Sequence, residues 1–172
     1  MNATEQLEQT LLTELDRRIE RTGCFWIDRE VRGEILQPRI GTERRSVRID
    51  RILTPTSRLV NAGWTRGPIG IEGKRCEVAL GKAVSQVLDY MRSAFLIATG
   101  HQVIIEWAFL FPFKVQSGDI GIVMLEHRIG TIGFLGERIM FDVGGKSIIS
   151  IDGSNVPTVA LPDACGRAGS RK

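Results

Sequence analysis

The chain has 172 residues, 42% apolar and 25% charged, which is enough for one globular core and too apolar for a disordered segment. Lys and Arg total 23 against 20 Asp and Glu, a balance of +3 that admits a nucleic-acid partner without demanding one. Its three cysteines, Cys24, Cys76 and Cys165, make no CxxC pair, which speaks against a zinc or iron–sulfur centre. With no basic leader and no long apolar run, the expectation is a cytoplasmic protein with no membrane partner.

Residues 3 to 22 are predicted as a helix. Asn2 and Glu5 have capping-box spacing, Leu7, Leu11, Leu15 and Ile19 recur every four residues, Leu12 widens that stripe, and Gly23 ends it. A β-rich run follows, with strands expected from Cys24 to Val31, Gly33 to Ile40 and Ser46 to Leu53, and a turn at Gly41-Thr42-Glu43. Thr54 to Pro68, rich in proline and glycine, reads as a long connection, and Ile69 to Arg75 as a short strand. A second helix is expected from Glu77 or Lys82 to Ala98, with Val84, Val87, Leu88, Met91 and Phe95 buried and Gly100 as its stop. Gln102 to Phe113 reads as one buried strand, and Ile120 to Ile151 as two or three more. Composition turns to Gly, Ser, Pro and Arg from Gly153, giving one domain over residues 1–152 and a flexible tail over 153–172. The order implies a mixed α/β domain whose second helix is a crossover beside a central sheet.

Two segments place acidic groups where a bland core would not. Asp50 interrupts the apolar run Val47 to Leu53. In Ile69-Gly70-Ile71-Glu72-Gly73-Lys74, period-two alternation puts Glu72 and Lys74 on one face and the isoleucines on the other. If the two strands pair, the two carboxylates meet at one edge with the ammonium beside them. Such a group suits phosphodiester hydrolysis: carboxylates can hold Mg²⁺ or Mn²⁺, the Gly73 carbonyl is a further oxygen ligand, and a lysine can orient water and offset charge. Taken alone, Glu-x-Lys is common and reads as an edge-strand salt bridge. The context is more specific: an apolar strand with Asp, a Gly-Ile-Glu-Gly-Lys strand, then a long helix.

In this context Asp50 with Glu72-Gly73-Lys74 resembles the core motif of the PD-(D/E)XK nuclease superfamily, and Gln86-Val87-Leu88-Asp89-Tyr90 is similar to the Gln-x-x-x-Tyr motif of its RecB-type branch. Ile49 stands where the motif's first letter is proline. The resemblance covers about residues 4 to 110. It implies a restriction-endonuclease-like αβββαβ core in which Asp50 and Glu72 bind the metal, Lys74 assists the attacking water, and Gln86 and Tyr90 help hold nucleic acid. It also implies a Glu from the first helix near the metal, for which Glu14 and Glu8 are the better placed. At about 100° per residue, Gln86 and Tyr90 share a side face of the second helix, away from its apolar stripe.

Arg48, Arg51 and Arg66 are candidate phosphate contacts, as are their neighbours Arg44, Arg45, Arg58 and Arg75. Trp64 is either a stacking platform or a loop anchor. His101 and His127 have no partner at metal-ligand spacing, and no glycine-rich segment ends in the Gly-Lys-Ser/Thr of a phosphate-cradling loop. The functional expectation is a Mg²⁺-dependent deoxyribonuclease acting on DNA ends or single strands. Sequence-specific cutting by so small a chain would need a homodimer or a larger DNA-processing complex. The alternative is a non-catalytic nucleic-acid-binding or assembly subunit of the same fold, against which the retention of all three motif residues counts. An unrelated α/β protein with an accidental triplet would bind no divalent metal.

Overall fold

The first helix, α1 (Ala3–Thr22), leads into two long strands, β1 (Phe25–Ile35) and β2 (Ser46–Pro55). A short helix, α2 (Ser57–Asn61), precedes β3 (Ile69–Gly73), and α3 (Leu80–Met91) follows. Next come β4 (Ser93–Leu96), β5 (Gln102–Ile104), β6 (Trp107–Phe111) and α4 (Asp119–Glu126). The chain closes with β7 (Ile129–Leu135), β8 (Arg138–Val143), β9 (Lys146–Asp152) and β10 (Thr158–Val159). This computed structural model describes residues 3–36, 46–74, 80–112, 119–153 and 155–161. The expected turn at Gly41-Thr42-Glu43 lies outside the described residues, as do Arg44, Arg45, Arg75 and Cys76.

Among the described residues the ten strands form one sheet, in the order β10-β9-β8-β7-β6-β3-β2-β1-β4-β5. β1, β2 and β3 are an antiparallel meander, whereas β3 and β6 run parallel. A parallel pair needs a crossover, and α3 supplies it. The protein is therefore mixed α/β, as composition and element order imply. Alternation splits β3 and β6 between two cores. Ile69, Ile71, Trp107, Phe109 and Phe111 pack with Leu12, Leu15 and Ile19 of α1, and Ala108 and Leu110 pack with Val84 and Val87 of α3 and Met124 of α4. On α1 the buried stripe runs through Leu12, Leu15, Asp16 and Ile19, while Leu7 is exposed. No helix among the described residues is long and apolar enough to cross a membrane.

Several expected boundaries change. The strands expected on either side of Arg32 are one strand, β1. The second helix stops at Met91, and Phe95 is a strand residue opposite Gly33 of β1. A Cβ on Gly33 would lie 2.7 Å from the Ala94 carbonyl oxygen and 2.5 Å from Phe95, so the bare glycine is what admits β4. Local periodicity fits helix or strand at Ser93–Leu96, and pairing to β1 decides it. The strand expected over Gln102–Phe113 is two, β5 and β6, separated at Ile105 and Glu106. Within Ile120–Ile151 the first element is a helix, α4, whose Ile122, Val123 and Leu125 are exposed. A helix without a polar face has no helical signature in its sequence. The connection after β2 contains α2, and the described start of the tail expected from Gly153 is tied to the sheet, because β10 pairs with β9 and Val159 and Leu161 pack on the core; residues 162–172 lie outside the described residues.

Candidate active site where two strands part

The pleat of β2 is interrupted at Asp50. Arg51 turns to Asp16 of α1 and Leu53 enters the core beneath α1, whereas Ile49 and Ile52 both pack beneath α3. A regular strand keeps residues two apart on one face, so Ile49 and Arg51 on opposite faces mark a break between them. The partner strand breaks at the matching place: Arg29 of β1 reaches Asp16, Val31 packs beneath α3, and Glu30 between them has φ 51°. Arg29↔Arg51 and Val31↔Ile49 are paired, which sets Glu30 across from Asp50. Left-handed backbone at a non-glycine residue costs about 1–3 kcal/mol and is concentrated at functional sites. Here the paired interruption re-aims Asp50.

Pairing between β2 and β3 ends at Arg51↔Ile71. One residue further on, the strands carry Asp50 and Glu72, and the Gly73 amide donates to Asp50 Oδ2 at 2.7 Å. Gly73 is bare for a reason: a Cβ would lie 2.9 Å from Leu12 Cδ1 and 3.2 Å from Asp50 Oδ2. The end of β3 is held from its other side by the Lys74 amide, which donates to the Phe111 carbonyl at 2.7 Å. Burial pushes the Asp50 carboxyl above its usual range, and the Gly73 amide pulls it back.

Glu72 is 3% exposed and faces α3. Its Oε1 receives Lys74 Nζ at 2.5 Å and Gln86 Nε2 at 2.8 Å. Gln86 also donates to the Tyr90 hydroxyl, which itself lies within hydrogen-bonding reach of Glu72. Burial, with the Asp50 charge second, pushes the Glu72 carboxyl up to about 7 against the pull of Lys74. Burial and the nearby Glu72 charge raise the Tyr90 hydroxyl, so it stays protonated. Glu72 Oε2 is buried with no hydrogen-bond partner, an arrangement that costs about 1–3 kcal/mol unless a ligand fills it. Asp50 and Glu72 offer hard carboxylate oxygens of the kind Mg²⁺ and Mn²⁺ take. No three acidic, His or Cys groups converge on a metal-sized space among the described residues.

No family model, curated protein or solved structure matches the chain. The geometry must therefore carry the functional reading.

The fold brings Asp50, Glu72, Gly73, Lys74, Gln86 and Tyr90 together, though Tyr90 is buried rather than on an open side face, with its ring edge-on to Phe95. Arg48 is exposed and lines a cleft of about 280 Å³ with Gln86, Asp89 and Tyr90. The expectation for Arg51 is corrected: it is 1% exposed, and its Nε bonds Asp16 at 2.9 Å, so it cannot reach nucleic acid. Arg66 precedes β3, at the end of the strand away from Glu72 and Lys74. The strand between spans about 13 Å at 3.3 Å per residue. Glu14 is engaged by Arg17 and Arg18 of its own helix, which hold its carboxyl down at about 2. Glu8 is half-buried one turn before Leu12, the residue that touches Gly73. Trp64 is an anchor, fully buried against Trp107 with its Nε1 donating to the Gly67 carbonyl.

Two carboxylates escaped the sequence reading. Asp16, buried on the stripe of α1, braces Arg51 and Arg29 beneath the site. Its signal was available, since it falls one turn after Leu12. Glu30 lies beside Asp50 and bonds Arg48 at 3.1 Å, and a left-handed glutamate leaves no sequence signal.

Proposed function

We propose that this protein is a divalent-metal-dependent deoxyribonuclease acting on single strands or DNA ends. The observation that carries this reading is the buried Glu72, with one oxygen shared by Lys74 and Gln86 and the other unpartnered, beside Asp50 at the end of β3. A structural salt bridge needs neither the second carboxylate nor the empty oxygen. The order α1, β1, β2, β3, α3, β6, with α2 inserted before β3, β4 and β5 inserted before β6, and β3 and β6 parallel, is compatible with the resemblance to the PD-(D/E)XK superfamily and its αβββαβ core.

Asp50 and Glu72 would hold Mg²⁺ or Mn²⁺, with the Gly73 carbonyl as a further oxygen. When bound, such an ion polarises a phosphate and lowers the pKa of water. The chain supplies the rest. Gln86 and Tyr90 fix the Glu72 carboxylate against rotation, so its free oxygen keeps one direction. Lys74 Nζ, half-shielded and already at the site, can turn from Glu72 to hydrogen-bond the attacking water and to balance charge gathering on the phosphate. Arg48 offers an exposed guanidinium to a neighbouring phosphate.

Calorimetric titration of the protein with Mn²⁺ is the direct test. The wild type is expected to bind the ion and Asp50→Asn to lose that binding. A protein that takes up no divalent cation, with or without DNA, is not this nuclease.

A further inference from the structure

The break in β2 leaves the backbone of Asp50 without a ladder position, since the registers with β1 and with β3 both leave it out. The next side chain holds it instead. Arg51 Nη1 donates to the Asp50 carbonyl at 2.7 Å, while its Nε donates to Asp16 Oδ1 at 2.9 Å and to Oδ2 at 3.0 Å. Arg51 is 1% exposed and Asp16 5%. Glu30 Oε1, at 3.9 Å from Nη1, adds charge but no hydrogen bond. The guanidinium thus ties the backbone of Asp50 to α1, the helix whose Leu12 also touches Gly73. Arginine suits this task because its donors point in fixed directions from a planar fork, whereas a lysine ammonium is a point charge.

Stability alone does not account for such a pair. A buried ion pair is often no more stabilising than apolar side chains of the same volume, because both charges lose their water. What apolar side chains cannot supply is a donor for the Asp50 carbonyl. With Ile49 drawn beneath α3 and Arg51 drawn to Asp16, the residue between them turns its carboxylate to the Gly73 amide. We propose, resting on the nuclease reading above, that Arg51 is a positioning residue: braced by Asp16, it locks the break in β2 so that the Asp50 carboxylate keeps the aim that holds a divalent cation. Arg51 touches neither metal nor substrate and acts through Asp50. Outer partners of this kind commonly carry about ten- to a hundredfold in metal affinity.

Two readouts separate aim from stability, both taken without DNA on protein shown by circular dichroism to be folded. One is Mn²⁺ affinity by calorimetric titration. The other is hydrogen exchange at the Gly73 amide, which the wild type protects through its bond to Asp50 Oδ2. Arg51→Lys keeps a charge for Asp16 but gives up the Asp50 carbonyl. Asp16→Leu combined with Arg51→Met replaces the whole pair with apolar side chains, which a purely structural pair tolerates. Both variants are expected to bind Mn²⁺ about ten- to a hundredfold more weakly and to lose protection at Gly73. Ile151→Val, in the core at β9 and four strands from β3, should lower stability and leave both readouts unchanged. Wild-type Mn²⁺ affinity and Gly73 protection in Arg51→Lys or in the double variant overturn the inference, and the nuclease reading then stands without it. If the wild type itself binds no Mn²⁺, the nuclease reading falls and the inference falls with it.

Discussion

Replacing Glu72 with glutamine should stabilise the protein while abolishing its chemistry. Glu72 is 3% exposed, and its carboxyl is pushed from 4.5 up to about 7. Because the folded value is raised, the native state holds this proton more tightly than the unfolded chain. Stability therefore falls as pH rises from about 4.5 to about 7, and the penalty is complete above that. At about 1.4 kcal/mol per pH unit, the ionised carboxylate costs the fold about 3 kcal/mol. Glutamine has nearly the same shape and carries no charge. In EDTA, urea or thermal denaturation at pH 8 should show Glu72→Gln more stable by about 3 kcal/mol, a rise of about 6–12 °C for a chain of this size. At about pH 3, below both values, the two proteins should melt together, because the wild-type carboxyl is then protonated in both states. A variant equally or less stable than the wild type at pH 8 would refute the reasoning, since it would mean that Lys74 and Gln86 fully offset the burial.

Arg51→Met should cost about 3 kcal/mol in urea unfolding, because it leaves Asp16 buried with Arg29 as its remaining partner. The same variant should leave the salt dependence of DNA binding unchanged, whereas a surface phosphate contact would lower the slope. Gly73→Ala should cost about 1 kcal/mol of stability, since Leu12 can shift, but a larger share of activity, because the new methyl group presses on Asp50. Adding Leu12→Val should recover part of that activity, measured as initial cleavage rate. Metal affinity, followed by Mn²⁺ titration between pH 5 and 8, should rise as Glu72 loses its proton and level off above about 7.

Much of the site was legible because its residues break a pattern. Asp50 interrupts an apolar strand, Glu72 and Lys74 share one face of a two-residue repeat, and Gln86 lies one helical turn before Tyr90. These are local relations, and the fold preserves them. What the sequence hid depends on partners far along the chain. Arg51 reads as a surface arginine until Asp16, on another element, is seen to bury it. Ser93–Leu96 continues a helical stripe until β1, with Gly33 cleared for Phe95, recruits it into the sheet. Helix α4 shows no periodicity because it has no polar face, and Glu30 takes its backbone shape from the paired break at Asp50. In each case tertiary contact overrides a local preference that was itself weak.

The most direct test of the central claim is cleavage of end-labelled single- and double-stranded DNA by the wild type, Asp50→Ala and Lys74→Ala, with Mg²⁺, Mn²⁺ or EDTA. The account predicts cutting by the wild type that needs the metal, favours single strands or ends, and is lost in both variants. Cutting that persists in EDTA or in either variant, or a wild type that cuts under none of these conditions, would contradict it.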